Sequence, residues 1–174
     1  VIFFVLIPIF TELWTKEGER QAWNVVSSLI GISVVFLAAT ALIYFIIAPA
    51  LIKILAPGFS SETAQLSVRL SRTISPLIFI FSLAIIFQSV LNAYRNFSIP
   101  AIASLTFPLG IIIGVLFFSR KLGIYSLALG AVGGSGLQFL IQWIAVMKMR
   151  IGRFIRFSVD HLVLKKIIKL ALPI

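Results

Sequence analysis

Two groups of polar side chains in this sequence could bind a polar ligand within an otherwise apolar chain. Arg69 and Arg72 lie one helical turn apart, so their guanidinium groups could hold a phosphate-bearing headgroup bidentately. Gln88, Ser89 and Asn92 are separated by the three and four residues that put hydrogen-bonding groups on one helical face. We treat Arg69, Arg72, Gln88 and Asn92 as candidates for the path or rim of a substrate cavity.

Each of these groups also has an ordinary structural explanation. The arginines could extend their charges to the membrane surface or pair with Glu62. The amides could link neighbouring helices by hydrogen bonds, and Gln138 with Gln142 repeats the same pattern. Because amides that face lipid would be left without partners, both amide stripes are predicted to turn towards another helix or a wet cavity.

The sequence has no residue set that is typical of catalysis or of a metal site. All five carboxylates fall in predicted loops or at span ends, so no acid lies at mid-membrane. No acid–base pair and no nucleophile with an adjacent base is evident. There is no cysteine, and the single His161 has no second imidazole to complete a metal site. We therefore expect neither an enzyme nor a bound cofactor or metal.

The composition places these residues in a membrane. Hydrophobic residues make up 60% of the chain and charged residues only 11%, whereas roughly a quarter of the residues in a soluble domain are charged. A helix crosses the hydrocarbon core in about 20 residues, and four charge-free windows are long enough, at 21–52, 73–94, 96–119 and 122–147. Since both ends are cut through apolar segments, we predict an all-α polytopic transmembrane helix bundle with four complete spans plus two partial ones.

The distribution of basic residues predicts which side of the membrane each loop occupies. Loops on one side carry ten Lys or Arg residues and loops on the other carry five, and the more basic loops are retained in the cytoplasm. The ten are Lys16, Arg20, Arg95, Lys148, Arg150, Arg153, Arg156, Lys165, Lys166 and Lys169, and the five are Lys53, Arg69, Arg72, Arg120 and Lys121. The stretch 148–169 is therefore predicted to be a cytoplasmic connector.

This connector is predicted to contain an amphipathic helix on the membrane surface. Val163, Ile167 and Leu170 recur at helical spacing, and the neighbouring lysines fall on another side. A basic segment with interleaved aromatics could instead bind nucleic acid, but the surrounding spans do not favour that interpretation. Headgroups of membrane lipids are the expected partners of its charges.

Glycine and proline patterns predict how the spans pack and bend. Two GxxxG pairs offer flat surfaces for close approach of helix backbones, most simply within the chain. The pairs are Gly110 with Gly114 and Gly130 with Gly134. Pro49, Pro76 and Pro108 lie within or near spans and are predicted to bend them. Bent helices are common in transporters that work by alternating access, and also in channels.

Several segments of the chain resemble the MurJ (MviN) family. The segments are IPIFTELWTKEGERQAW at 7–23, LAPGF at 55–59, VLNAYRNFSIPAIA at 90–103, GIYSLALGAVGGSGLQFLIQ at 123–142 and LALPI at 170–174. That family comprises bacterial lipid II flippases of the multidrug/oligosaccharidyl-lipid/polysaccharide exporter superfamily. The resemblance runs essentially from end to end, although FPLG at 107–110 departs from the more usual Leu-Asn, and we expect that helix to bend differently.

The resemblance implies a fourteen-helix protein with two six-helix lobes in the bacterial cytoplasmic membrane. Residues 1–147 would belong to the N-terminal lobe, 148–169 would be the cytoplasmic connector, and 170–174 would begin the seventh helix. The implied activity is alternating-access transport of undecaprenyl-pyrophosphate-linked peptidoglycan precursor to the outer leaflet. Partners would be that precursor, membrane lipids and the remainder of the same chain, with no nucleic acid.

The resemblance carries over no ligand residue, because the arginines that the family associates with the headgroup lie on helices outside this sequence. Two other interpretations stay open on the residues alone. One is a related exporter of a drug or a polysaccharide-lipid unit, and the other is a membrane scaffold that transports nothing.

Overall fold

The computed structural model describes residues 18–149, which form five helices. They are α1 (Glu19–Leu55), α2 (Ser61–Ala93), α3 (Ser98–Ser104), α4 (Thr106–Leu122) and α5 (Tyr125–Lys148). Helices α3 and α4 together make one span, so four segments of the described residues are long and apolar enough to cross a membrane. The all-α fold and the four complete spans are confirmed. The predicted partial spans at the chain ends lie outside the described residues.

The turn between α1 and α2 follows from its sequence. Pro57 and Gly58 occupy this turn. The helix ends before them because proline has no N–H with which to continue the helical hydrogen bonds. Ser60 then caps α2, because its side-chain oxygen accepts a hydrogen bond of 3.3 Å from the backbone N–H of Thr63. The first span therefore ends in a sharp turn at these residues.

The polar turn after α2 ends one helix and begins the next. Arg95 has a left-handed backbone with φ of 57°, which stops α2 just after Ala93. The side chain of Asn96 accepts a hydrogen bond of 3.4 Å from the N–H of Ile99 at the start of α3. Pro100 lies in the first turn of α3, where helix N–H groups have no partner within the helix.

The break between α3 and α4 has its cause in Pro108. A helical N–H at that position would bond to the carbonyl of Ser104, and Ser104 is the last residue of α3. Leu105 keeps helical dihedral angles, with φ of −68° and ψ of −22°, so the two helices continue the same span.

Helix α2 is longer than the window that the charges predicted. It begins at Ser61 and runs for 33 residues, about 50 Å, whereas the charge-free window began at residue 73. Arg69 and Arg72 therefore lie within the helix and not just before it. A helix of this length exceeds the hydrocarbon core of about 30 Å, which leaves its charged first turns room at the membrane surface.

Helix α5 lies in the middle of the bundle. It packs against α4, α3 and α2, and α1 packs against α2. Apolar side chains of α1, α2 and α5 form the core, among them Ile30, Leu83, Ile86, Phe87, Val90, Leu91 and Val146. Phe87 and Phe139 meet edge to face, with ring centroids 5.4 Å apart.

The glycines bring α4 and α5 into backbone contact. A Cβ atom added to Gly130 would lie 2.5 Å from the carbonyl oxygen of Gly110, and one added to Gly134 would lie 2.6 Å from that of Thr106. A Cβ on Gly114 would lie 2.6 Å from the carbonyl oxygen of Ser126. The two GxxxG pairs thus face each other within the chain, and the predicted packing is confirmed. Thr106 adds a hydrogen bond of 3.1 Å from its hydroxyl to the carbonyl of Gly134.

Alanine substitutions at neighbouring glycines should have opposite consequences. We expect Gly130→Ala to lower the free energy of unfolding of the full-length protein by about 1–3 kcal/mol, because its methyl group would force the helices apart. At Gly133 an added Cβ meets nothing within 4 Å, so Gly133→Ala should leave the stability equal or slightly higher. Thermal denaturation in detergent measures both. Equal effects of the two substitutions would contradict the close packing at Gly130.

Candidate functional site

Arg72 bonds to a carbonyl that a proline leaves without its helical donor. Pro49 lies inside α1 and has no N–H to donate to the carbonyl of Phe45, four residues earlier. The Nε atom of Arg72, on α2, donates to that carbonyl over 3.2 Å. Its guanidinium carbon also lies 5.0 Å from the centroid of the Phe45 ring, at cation–π distance. Arg72 therefore holds α1 against α2.

A second proline produces a second free carbonyl one helix away. Pro76 lies inside α2 and cannot donate to the carbonyl of Arg72. The hydroxyl of Ser75, which is buried, donates to this carbonyl over 2.8 Å. Both carbonyls thus regain a partner within the protein, as the membrane interior requires.

The two arginines of the predicted pair have different surroundings. Glu62 lies on the same helix as Arg72, about 15 Å away along the axis, and Arg72 bonds to Phe45 instead. Arg69 is exposed, and its backbone carbonyl accepts a hydrogen bond from the hydroxyl of Thr73. Arg72 is also exposed and uses only its Nε atom in that bond, so joint binding of a headgroup by both arginines stays a prediction.

The amide stripes turn inward, as the sequence predicted. Gln138 and Gln142 on α5 are 3% and 0% exposed, although both are amides within a membrane span. Ser89 on α2 is also buried and bonds to the carbonyl of Ile85 over 3.0 Å. Gln88 and Asn92 are half-buried near the same end of α2.

These amides do not serve as hydrogen-bonded links between the described helices. Both amide atoms of Gln142, Oε1 of Gln138 and Oδ1 of Asn92 are buried without a partner among the side chains and backbone groups that the structure describes. Leaving such a group unpaired costs about 1–3 kcal/mol. The same face of α5 brings Ala145 and Val146 into the core, so the amides are held in apolar surroundings, where a polar partner would interact strongly with them.

The remaining predicted site residues divide between the described residues and those outside them. Lys148 ends α5 and is exposed. The other connector residues, Arg150, Arg153, Arg156, Lys165, Lys166 and Lys169, lie outside the described residues, and their role stays a prediction. Among the side chains that the structure describes, no group of His, Cys, Asp or Glu could hold a metal ion. Sequence reasoning missed Phe45 and Ser75. The only signal for either was a proline nearby: Pro49 frees the carbonyl of Phe45, and Pro76 frees the carbonyl to which Ser75 donates.

Comparison with known proteins identifies relatives along the whole chain. The family model described as lipid II flippase MurJ matches residues 2–174. A probable lipid II flippase MurJ of Buchnera aphidicola subsp. Baizongia pistaciae is 29% identical over 169 residues, which cover 95% of this chain and 33% of that protein. The lipid II flippase MurJ of Thermosipho africanus is 35% identical over 133 residues, 76% of this chain and 27% of that protein. The chain spans a third or less of these relatives' length.

Replacing a buried amide by a side chain of similar size should stabilise the protein. We expect Gln142→Met to raise the melting temperature of the full-length protein, because it removes two unpaired polar atoms from an apolar core at little change in volume. Gln65→Met, at an exposed position on α2, is the matched control and should have little effect. A fall in melting temperature for Gln142→Met alone would mean that this amide makes stabilising hydrogen bonds in the full-length protein.

Proposed function

This chain belongs to the lipid II flippase MurJ family, and we propose that it is part of a transporter that moves lipid II from the inner to the outer leaflet of the bacterial cytoplasmic membrane. The resemblance stated from the sequence is confirmed by the family match. The match over residues 2–174 carries the proposal, and the four apolar spans support it, since such a protein must be embedded in the membrane.

The physical task of such a transporter is to carry a polar headgroup through hydrocarbon. Moving unpaired polar groups out of water costs several kcal/mol each, so the protein must offer polar partners along the path. Buried amides without partners, such as Gln142 and Gln138, are groups of the required kind. Arg69, exposed and uncommitted on α2, suits the rim of a path for a phosphorylated lipid.

The packing of the chain supports transport by alternating access. In that mechanism, groups of helices rock against each other as nearly rigid bodies. Backbone contact between α4 and α5, together with the Arg72 contact between α1 and α2, ties the described helices into one such body. We propose that this body forms part of the N-terminal lobe and that residues 148–169 join it, on the cytoplasmic side, to the next helix.

The proposed activity is transport without a chemical reaction, and the precursor is its substrate. Two alternatives remain distinct from it. A related exporter would carry a drug or a polysaccharide-lipid unit through a similar bundle, and a scaffold would use the same packed helices without moving any substrate.

The test is rescue of bacteria depleted of their own flippase. We expect the full-length protein that contains this chain to restore growth and to bring lipid II to the outer leaflet, where an external enzyme or label detects it. Gly130→Leu should abolish rescue because it separates α4 from α5, whereas Gly136→Leu, where an added Cβ meets nothing within 4 Å, should preserve it.

Failure of the unmodified, well-expressed protein to move lipid II would contradict the proposal. Export of a drug or of another lipid-linked sugar under the same conditions would favour the related exporter. A protein that neither restores growth of the depleted bacteria nor exports any of these substrates would favour the scaffold.

A further inference from the structure

A groove runs along the outside of the contact between α4 and α5. Its volume is about 430 Å³ and it is open on one side. The glycines of both helices form its floor, and large apolar side chains form its walls, among them Leu109, Ile113, Phe118, Leu129 and Leu137. This groove is separate from the buried amides on the face of α5 that carries Gln142.

The groove lining offers no free hydrogen-bonding side chain. Only two of its residues, Thr106 and Ser126, carry a hydroxyl group. The Thr106 hydroxyl bonds to the carbonyls of Ala103 and Gly134, and the Ser126 hydroxyl bonds to that of Gly123. A polar molecule would gain nothing here, so the part of a ligand that fits the groove is a hydrocarbon chain.

The groove follows the long axis of a membrane span. Its lining extends along α4 from Thr106 to Leu122, about 24 Å of helix. One leaflet contributes about half of the hydrocarbon thickness of about 30 Å. The hydrocarbon chain of a lipid in one leaflet is therefore shorter than the groove, and the whole chain can lie within it.

Two adjacent cations stand at one end of the groove. Arg120 and Lys121 are exposed in the last turn of α4, directly beside the lining residues Phe118 and Leu122. Glu62 is the only carboxylate among the side chains that the structure describes, and it forms no ion pair with Arg120 or Lys121. The charge count also puts Arg120 and Lys121 on the side of the membrane that has fewer basic residues. Both cations are therefore available to an anionic headgroup at the membrane surface.

We propose that this groove binds an anionic phospholipid of the surrounding bilayer. One chain lies over the glycine floor, and the phosphate contacts Arg120 and Lys121. The apolar lining suits the hydrocarbon chain of such a lipid, and the two cations suit its phosphate. Each Lys or Arg near a headgroup strengthens binding about fivefold. The site is independent of whether the protein transports lipid II.

The test measures lipids that stay bound to the full-length protein. The purified protein is mixed with phosphatidylglycerol or with zwitterionic phosphatidylethanolamine, and native mass spectrometry counts the retained lipids. We expect a preference for phosphatidylglycerol. Arg120→Gln combined with Lys121→Gln should weaken its binding about 10- to 30-fold. Gly133→Leu should also remove it, because the added side chain fills the groove where a Cβ meets nothing within 4 Å.

Gly136→Leu is the matched control, since its position is equally open but lies outside the lining. It should keep the bound phosphatidylglycerol, and the melting temperatures of all variants establish that each is folded. Equal retention of the two lipids, or unchanged retention in both the charge variant and Gly133→Leu, would overturn the proposal. So would a disulfide between Gly133→Cys and a cysteine placed in another helix of the full-length protein, because the groove would then be covered by the chain itself.

Discussion

The need to satisfy every backbone carbonyl within an apolar span is the constraint on which this structure depends. Hydrocarbon contains no water that could donate a hydrogen bond in place of a missing N–H, so a proline inside a span requires another donor nearby. Pro49 creates that need at Phe45, and Pro76 creates it at Arg72. The side chain of Arg72 serves the first carbonyl and the hydroxyl of Ser75 serves the second. One arginine thus takes part in both hydrogen bonds and fixes α1 beside α2.

The other helix contacts obey the same constraint in a different way. Glycines let α4 and α5 approach until their backbones touch, which gives dense packing with few polar side chains in the interface. The hydroxyl groups of Thr106 and Ser126 lie along this contact, and both are bonded to backbone carbonyls. Against this background the unpaired amide atoms of Asn92, Gln138 and Gln142 are the described groups that the fold itself does not explain.

Local chemistry predicts much of this arrangement from the sequence. Charge-free windows predict four spans because a helix must be about 20 residues long to cross the core. Pro57, Gly58 and Pro100 predict where helices end and begin, and the GxxxG pairs predict the contact of α4 with α5. Each of these signals acts within a few residues, or along one helix.

Contacts between distant residues were beyond such reasoning. Nothing in the sequence specifies that Arg72, rather than another donor, meets the carbonyl of Phe45 27 residues earlier. The first turns of α2 lie outside the charge-free window because a helix can continue past the hydrocarbon, so that charges mark the membrane boundary and not the helix end. The amides were predicted to face inward, but whether they would find partners depends on the neighbouring helix. The predicted connector 148–169 lies outside the described residues, apart from its first two residues.

A double-mutant cycle on Arg72 and Pro49 tests most directly whether this arginine serves a carbonyl that proline has freed. Arg72→Met in the otherwise unchanged full-length protein should lower the free energy of unfolding by about 1–3 kcal/mol, because the carbonyl of Phe45 loses its partner. In a Pro49→Ala background the restored N–H satisfies that carbonyl, and Arg72→Met should cost at least about 1 kcal/mol less. An equal loss in the two backgrounds would contradict the account, because Arg72 would then stabilise the protein by some other contact.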